Sequence, residues 1–152
     1  LFEKIFEQKI RMLISNIFSI DREGGTFEEK LRRKIEAHFE ILKKNPKIPF
    51  LVINEITTNP ERIASLRDSI GELPLSVYAT LEQDLQKETA QGRVRETNAL
   101  DLMFSALSLN LATFLVRPVL QNILGLTDEA MDGFLEHRKE ENVQIILHSL
   151  KP

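Results

Sequence analysis

Apolar residues recur every three or four positions along almost the whole chain, and that spacing restricts it to helices. The pattern is plainest at the start, where Phe2, Phe6, Ile10, Leu13 and Ile17 share one face. No Ser, Thr, Asp or Asn precedes that face to accept the first free backbone N–H groups. Leu1 to about Ser19 therefore reads as a helix already under way in a longer chain. Asp21-Arg22-Glu23-Gly24-Gly25 reads as a turn, and Thr26 with Glu29 forms a capping box that opens a second helix. Its stripe is Phe27, Leu31, Ile35, Phe39 and Leu42, and Asn45-Pro46 ends it.

The run Phe50 to Thr57 has the composition of a buried strand. A short helix, apolar on nearly all sides, is preferred because its neighbours are helices and no partner strand is visible. Asn59 caps a further helix with Pro60 at its first position. Gly71 and Pro74 punctuate the chain, and another helix runs from Leu75 to about Gln91, closed by Gly92. Two long helices finish it. One covers about Thr97 to Val116 and continues past a kink at Pro118 to Leu124. The other starts after Thr127, has Asp128 and Glu129 at its positive end, and reaches about Leu150. The expected fold is all-α, a helical bundle forming one domain over residues 1–152.

Composition removes several function classes. The chain has no cysteine, so disulfides, thiolate metal sites and a cysteine nucleophile are excluded. The net charge of −3 and the small basic groups Arg32-Arg33-Lys34 and Lys43-Lys44-Lys47, each with acids nearby, read as solvated helix faces. Nucleic-acid affinity needs clustered phosphate-neutralising charge, so these residues alone should bind DNA poorly. The longest apolar stretch, Ala99 to Leu120, is interrupted by Asp101, Ser105, Ser108, Asn110 and Arg117, and no membrane span is expected. His38, His137 and His148 lack metal-ligand spacing, and no nucleophile elbow, phosphate loop or paired-carboxylate cluster stands out. No cofactor, metal or enzymatic activity is expected, and a cytoplasmic location fits.

Polar residues inside apolar helices carry more information. Asn54, Tyr78 and Asn110 each need a partner if buried, at a cost of roughly 1–3 kcal/mol if left without one. The last two helices also have apolar residues on more than one face, whereas a surface helix needs only one. Burial against a second copy as well as the domain core would satisfy both. Helices about 36 Å long, two per subunit, could build a two-fold, four-helix dimer interface of standard size. Leu109, Thr113, Met131, Phe134, Leu135, Arg138, Ile145 and Ile146 are the interface candidates.

Three segments in order resemble the regulatory portion of a tetracycline-repressor-like (TetR family) transcriptional regulator. They are Leu1-Phe2-Glu3-Lys4-Ile5-Phe6, then Asn45-Pro46-Lys47-Ile48-Pro49-Phe50 with Asn54-Glu55-Ile56 and Asn59-Pro60-Glu61-Arg62, then Gly92-Arg93-Val94-Arg95-Glu96-Thr97-Asn98 with the two long helices. The resemblance implies a homodimer built from those helices, a small-molecule effector in a cavity among the earlier ones, and DNA contacted only through an N-terminal helix-turn-helix domain outside this chain. Repression is the expected mode, and the effector is expected to be largely apolar or aromatic. Its candidate contacts are Phe18, Phe39, Asn54, Tyr78, Met103, Phe104, Leu107 and Asn110. The competing reading is a helical interaction or scaffold module whose apolar faces bind a partner protein without any small-molecule cavity.

Overall fold

Among the described residues of the computed structural model, seven helices follow one another: α1 (Phe2–Ser19), α2 (Phe27–Lys44), α3 (Ile48–Thr58), α4 (Pro60–Ile70), α5 (Leu73–Ala90), α6 (Ala99–Ile123) and α7 (Asp128–Ser149). It describes residues 2–19 and 23–152, without the side chains of residues 2, 3, 14–19, 63, 66, 69, 70 and 73. Among the described residues there is no strand, and the apolar run 50–57 is helical, as its neighbours require. Asp21 and Arg22 of the expected turn lie outside the described residues.

Short polar side chains set several boundaries. The Thr26 hydroxyl accepts the Glu29 backbone N–H at 3.1 Å and starts α2, and the Thr127 hydroxyl accepts that of Ala130 at 3.1 Å and starts α7. Asn98 starts α6 and closes a reciprocal pair with Asp101, at 2.8 and 2.9 Å. Asn59 precedes α4 without any side-chain capping bond, and Pro60 sets the first turn there. Gly25, at φ +109°, leaves room for the Glu29 carboxylate, which would stand 2.6 Å from a Cβ at that position.

The helices α2, α6 and α7 pack on one another, α1 lies on α2, α4 and α5, and α5 lies on α6. One core cluster joins Leu31 and Ile35 of α2 to Leu81 and Leu85 of α5, Leu102 of α6 and Val143 and Ile146 of α7. A second gathers Phe39, Leu42, Ile48, Phe114 and Leu135, with the Phe39 and Phe114 rings edge to face at 4.9 Å. Ion pairs fix the antiparallel register of α2 and α7. Arg32 grips Glu140 in two bonds of 2.7 and 3.2 Å, Lys139 reaches Glu40 at 2.8 Å, and Lys43 reaches Glu136 at 3.0 Å. Two of the basic groups expected as solvated faces thus supply cross-helix partners. Pairs this exposed contribute about 0–1 kcal/mol each and act mainly on alignment.

By length and composition alone, Ala99–Ile123 is apolar enough to cross a bilayer, and only 28% of its most apolar window is buried within the chain. Asp101 and Arg117 lie near the two ends of the stretch and so interrupt it less than the sequence suggests. One face of α6 packs on α2 and α7 and carries the buried Asn110 and Thr113. Much of the remainder is apolar and uncovered: Phe104 is 72% exposed and Ile123 76% exposed.

A candidate ligand cavity walled by four helices

A partly open cavity of about 310 Å³ lies between α1, α2, α5 and α6. Ile10 and Leu13 of α1 form one wall, Pro74, Val77 and Leu81 of α5 another, and Leu102, Met103, Ala106 and Leu107 of α6 a third. The α2 side is Leu31 and Ile35 with Lys34 and His38. The space equals that of about ten liquid waters, at the small end of ligand sites, and its few polar groups among apolar walls are the usual composition of such a site. A second, comparably open groove of about 500 Å³ beside the start of α2 is lined by Glu28, Lys30, Lys87 and Arg93. Arg93 is already held there by Glu88 at 2.6 and 2.9 Å, and the walls are too polar to favour an apolar molecule.

Behind the cavity runs a buried polar chain. The Arg138 guanidinium Nε–H donates to Asn142 Oδ1 at 2.7 Å. The Asn142 amide donates to Asn110 Oδ1 at 3.0 Å and to the Thr113 hydroxyl at 3.3 Å, and that hydroxyl donates to the Leu109 carbonyl at 2.8 Å. The Asn110 amide in turn donates to the Ile35 carbonyl at 3.0 Å and meets His38 Nδ1 at 2.9 Å. Both ends are unambiguous: a guanidinium only donates and a backbone carbonyl only accepts. They fix both amide orientations, so Nδ1 of His38 must accept and its proton resides on Nε2. Every amide hydrogen of Asn110 and Asn142 is engaged, and a network so satisfied makes the α2–α6–α7 packing specific.

Burial lowers the His38 pKa from 6.5 to about 4. Protonation would also aim an Nδ1–H at the Asn110 amide hydrogens. Between those two values the unfolded chain carries a proton that the folded chain refuses, so stability rises with pH across that window. The change approaches about 1.4 kcal/mol per pH unit, or roughly 2 kcal/mol from pH 5 to pH 6.5. Glu88, Glu136 and Glu140 are held below the ordinary carboxylate value by hydrogen bonds from Arg93, Lys43 and Arg32 respectively, so their contributions are lost only at lower pH. Urea unfolding at pH 5 and 6.5 should show this loss in the parent chain and a markedly smaller one in His38→Gln. An equal loss in both would rule out His38 as its source.

The structure sorts the effector candidates. Met103, Leu107 and Asn110 line the cavity, although Asn110 has no polar hydrogen left for a ligand. Phe39 is fully buried against Phe114, Asn54 is exposed on α3 where Glu55 faces inward instead, and Tyr78 and Phe104 lie outside the lining. The Phe18 side chain lies outside the described residues. His38 and the α1 wall were missed, yet His38 sits on the same stripe as Ile35 and Phe39.

The interface candidates divide likewise. Met131, Leu135 and Ile146 are enclosed in the chain's own core, Thr113 is buried in the polar network, and Leu109 packs against the first cluster. The side chains of Met131, Leu135 and Ile146 are covered within the single chain. Phe134, Arg138 and Ile145 retain exposure on the outer flank of α7. Residues 28–146 match the family model for the tetracyclin repressor-like C-terminal domain. No curated protein and no solved structure matches the chain.

Proposed function

Since the chain belongs to the tetracycline-repressor-like C-terminal domain family, we propose that it is the effector-sensing and dimerisation domain of a transcriptional repressor, whose DNA-reading helix-turn-helix domain precedes α1. The observation that carries the reading is the composition of the cavity wall: Ile10 and Leu13 belong to α1, and the opposite walls belong to helices of the bundle. A small, largely apolar effector entering between them presses on α1 directly. Two recognition helices must sit about 34–36 Å apart to enter successive major grooves. A displacement of α1 changes that spacing, and coupling of about 1–3 kcal/mol is usual for such a device.

A second copy covers the exposed side of α6. With about 100° of rotation per residue, Val116, Val119 and Ile123 fall on the flank of α6 that adjoins α7. There they extend the patch begun by Phe134, Arg138 and Ile145. A bilayer is the poorer cover, because the opposite face of the same helix is fixed by Asn110 and Thr113 to α2 and α7.

A thermal-shift screen of small aromatic and aliphatic compounds tests the cavity. A ligand present at 100 times its Kd should stabilise the chain by about 2.7 kcal/mol, a rise of roughly 5–10 °C for a domain of this size. Ala106→Phe, which fills the space, should abolish that rise while the chain stays folded. Hits whose effect survives Ala106→Phe would place binding elsewhere.

A further inference from the structure

We infer that the His38 Nε2–H is the recognition point of the cavity and selects an uncharged, mostly apolar effector bearing one hydrogen-bond acceptor, such as a ketone, ester or amide carbonyl. The inference rests on the effector-cavity reading above and adds the chemistry of the occupant. Its basis is the direction of the buried chain: Arg138 and the Ile35 carbonyl orient both asparagines, and these leave Nδ1 as acceptor and Nε2 as donor. Among the described residues, Nε2 has no hydrogen-bond partner, yet it is not one of the fully enclosed atoms left unpaired. His38 is itself 6% exposed and lines the cavity, and the cavity is the open space its ring borders.

An occupant with a carbonyl at that point satisfies a donor that a hydrocarbon would strand. A carboxylate is disfavoured there, because the ring remains neutral: burial lowers its pKa and the Asn110 amide blocks a second ring proton. Lys34 is the one formal cation on the lining and the group that would favour an anion instead.

Three probes of nearly the same shape separate these possibilities: 4-phenyl-2-butanone, butylbenzene and 3-phenylpropionate, titrated calorimetrically into the intact chain at pH 7. The ketone should bind roughly five- to tenfold tighter than butylbenzene, as one good hydrogen bond implies. Within the His38→Phe variant the ketone and butylbenzene should bind equally, whatever the variant does to both, and in the parent protein 3-phenylpropionate should bind weakest. Long-range ¹⁵N spectra of the parent protein provide a readout independent of any variant: His38 should show the Nε2–H tautomer, and the ketone should move the Nε2 signal. Equal affinity of ketone and hydrocarbon, tightest binding of 3-phenylpropionate, or an Nδ1–H tautomer would overturn the role of His38 and leave the cavity standing. If no probe binds or shifts the Met103 and Leu107 methyl signals, the cavity reading falls and this inference with it.

Discussion

Replacing Asn110 with leucine should destabilise the chain by about 3–5 kcal/mol, close to the limit of what one substitution does to a domain this size. Asn110 is fully buried, and its removal strands two partners, the His38 ring nitrogen and one Asn142 amide hydrogen, and takes from the Ile35 carbonyl the bond it accepts beyond its own helical one. Each unsatisfied buried group costs roughly 1–3 kcal/mol, and the groups are coupled, so the sum is not reached. Leucine has similar volume, which separates the polar loss from a cavity effect. Chemical denaturation should show the midpoint falling sharply with little change in slope. Asn142→Leu should behave alike, and the double variant should cost much less than the sum of the two, because the network is already broken. Additive costs would show that the two asparagines act separately.

Two aspartates on the outer flank of α6, Val116→Asp with Val119→Asp, should yield folded monomers. Both positions are substantially exposed in the protomer, so the substitutions leave its core intact. In a two-fold assembly each change occurs twice. A desolvated, unpaired carboxylate costs several kcal/mol and each 1.4 kcal/mol is tenfold, so association should weaken at least about 10³-fold. Circular dichroism should remain helical while light scattering reports the single-chain mass. Ile146→Asp is the contrasting case: that side chain is 1% exposed within the core, so the charge should unfold the protomer itself. An unfolded Val116/Val119 variant, or a folded monomeric Ile146 variant, would reverse the assignment of faces.

That contrast shows where the sequence stops being legible. The seven helices follow from spacing and from caps such as Thr26 and Thr127, because local backbone chemistry fixes them. Which side of α7 turns inward does not. Leu135 and Phe134 are adjacent in sequence and both apolar, so periodicity alone cannot say which one meets the core. The deciding group is Asn142, seven residues beyond Leu135 on the same side of the helix, whose partners Asn110 and Thr113 lie on α6. A long-range polar pairing of this kind leaves no periodic trace. The cavity was partly legible: the α6 positions Met103 and Leu107 lie on an apolar stripe, whereas the α1 and α5 walls depend on how helices distant in sequence approach one another. His38 was hidden for a different reason. A histidine among apolar neighbours invites a metal or a plain structural reading, and only its bond to Asn110 gives it a direction.

The account depends most on a second copy covering the uncovered apolar side of α6, and sedimentation equilibrium of the chain at micromolar concentration tests this directly. The predicted result is a single species of twice the 17.5 kDa chain mass, stable to dilution. A well-folded species of one chain mass, with Val116, Val119 and Ile123 open to solvent, would contradict it.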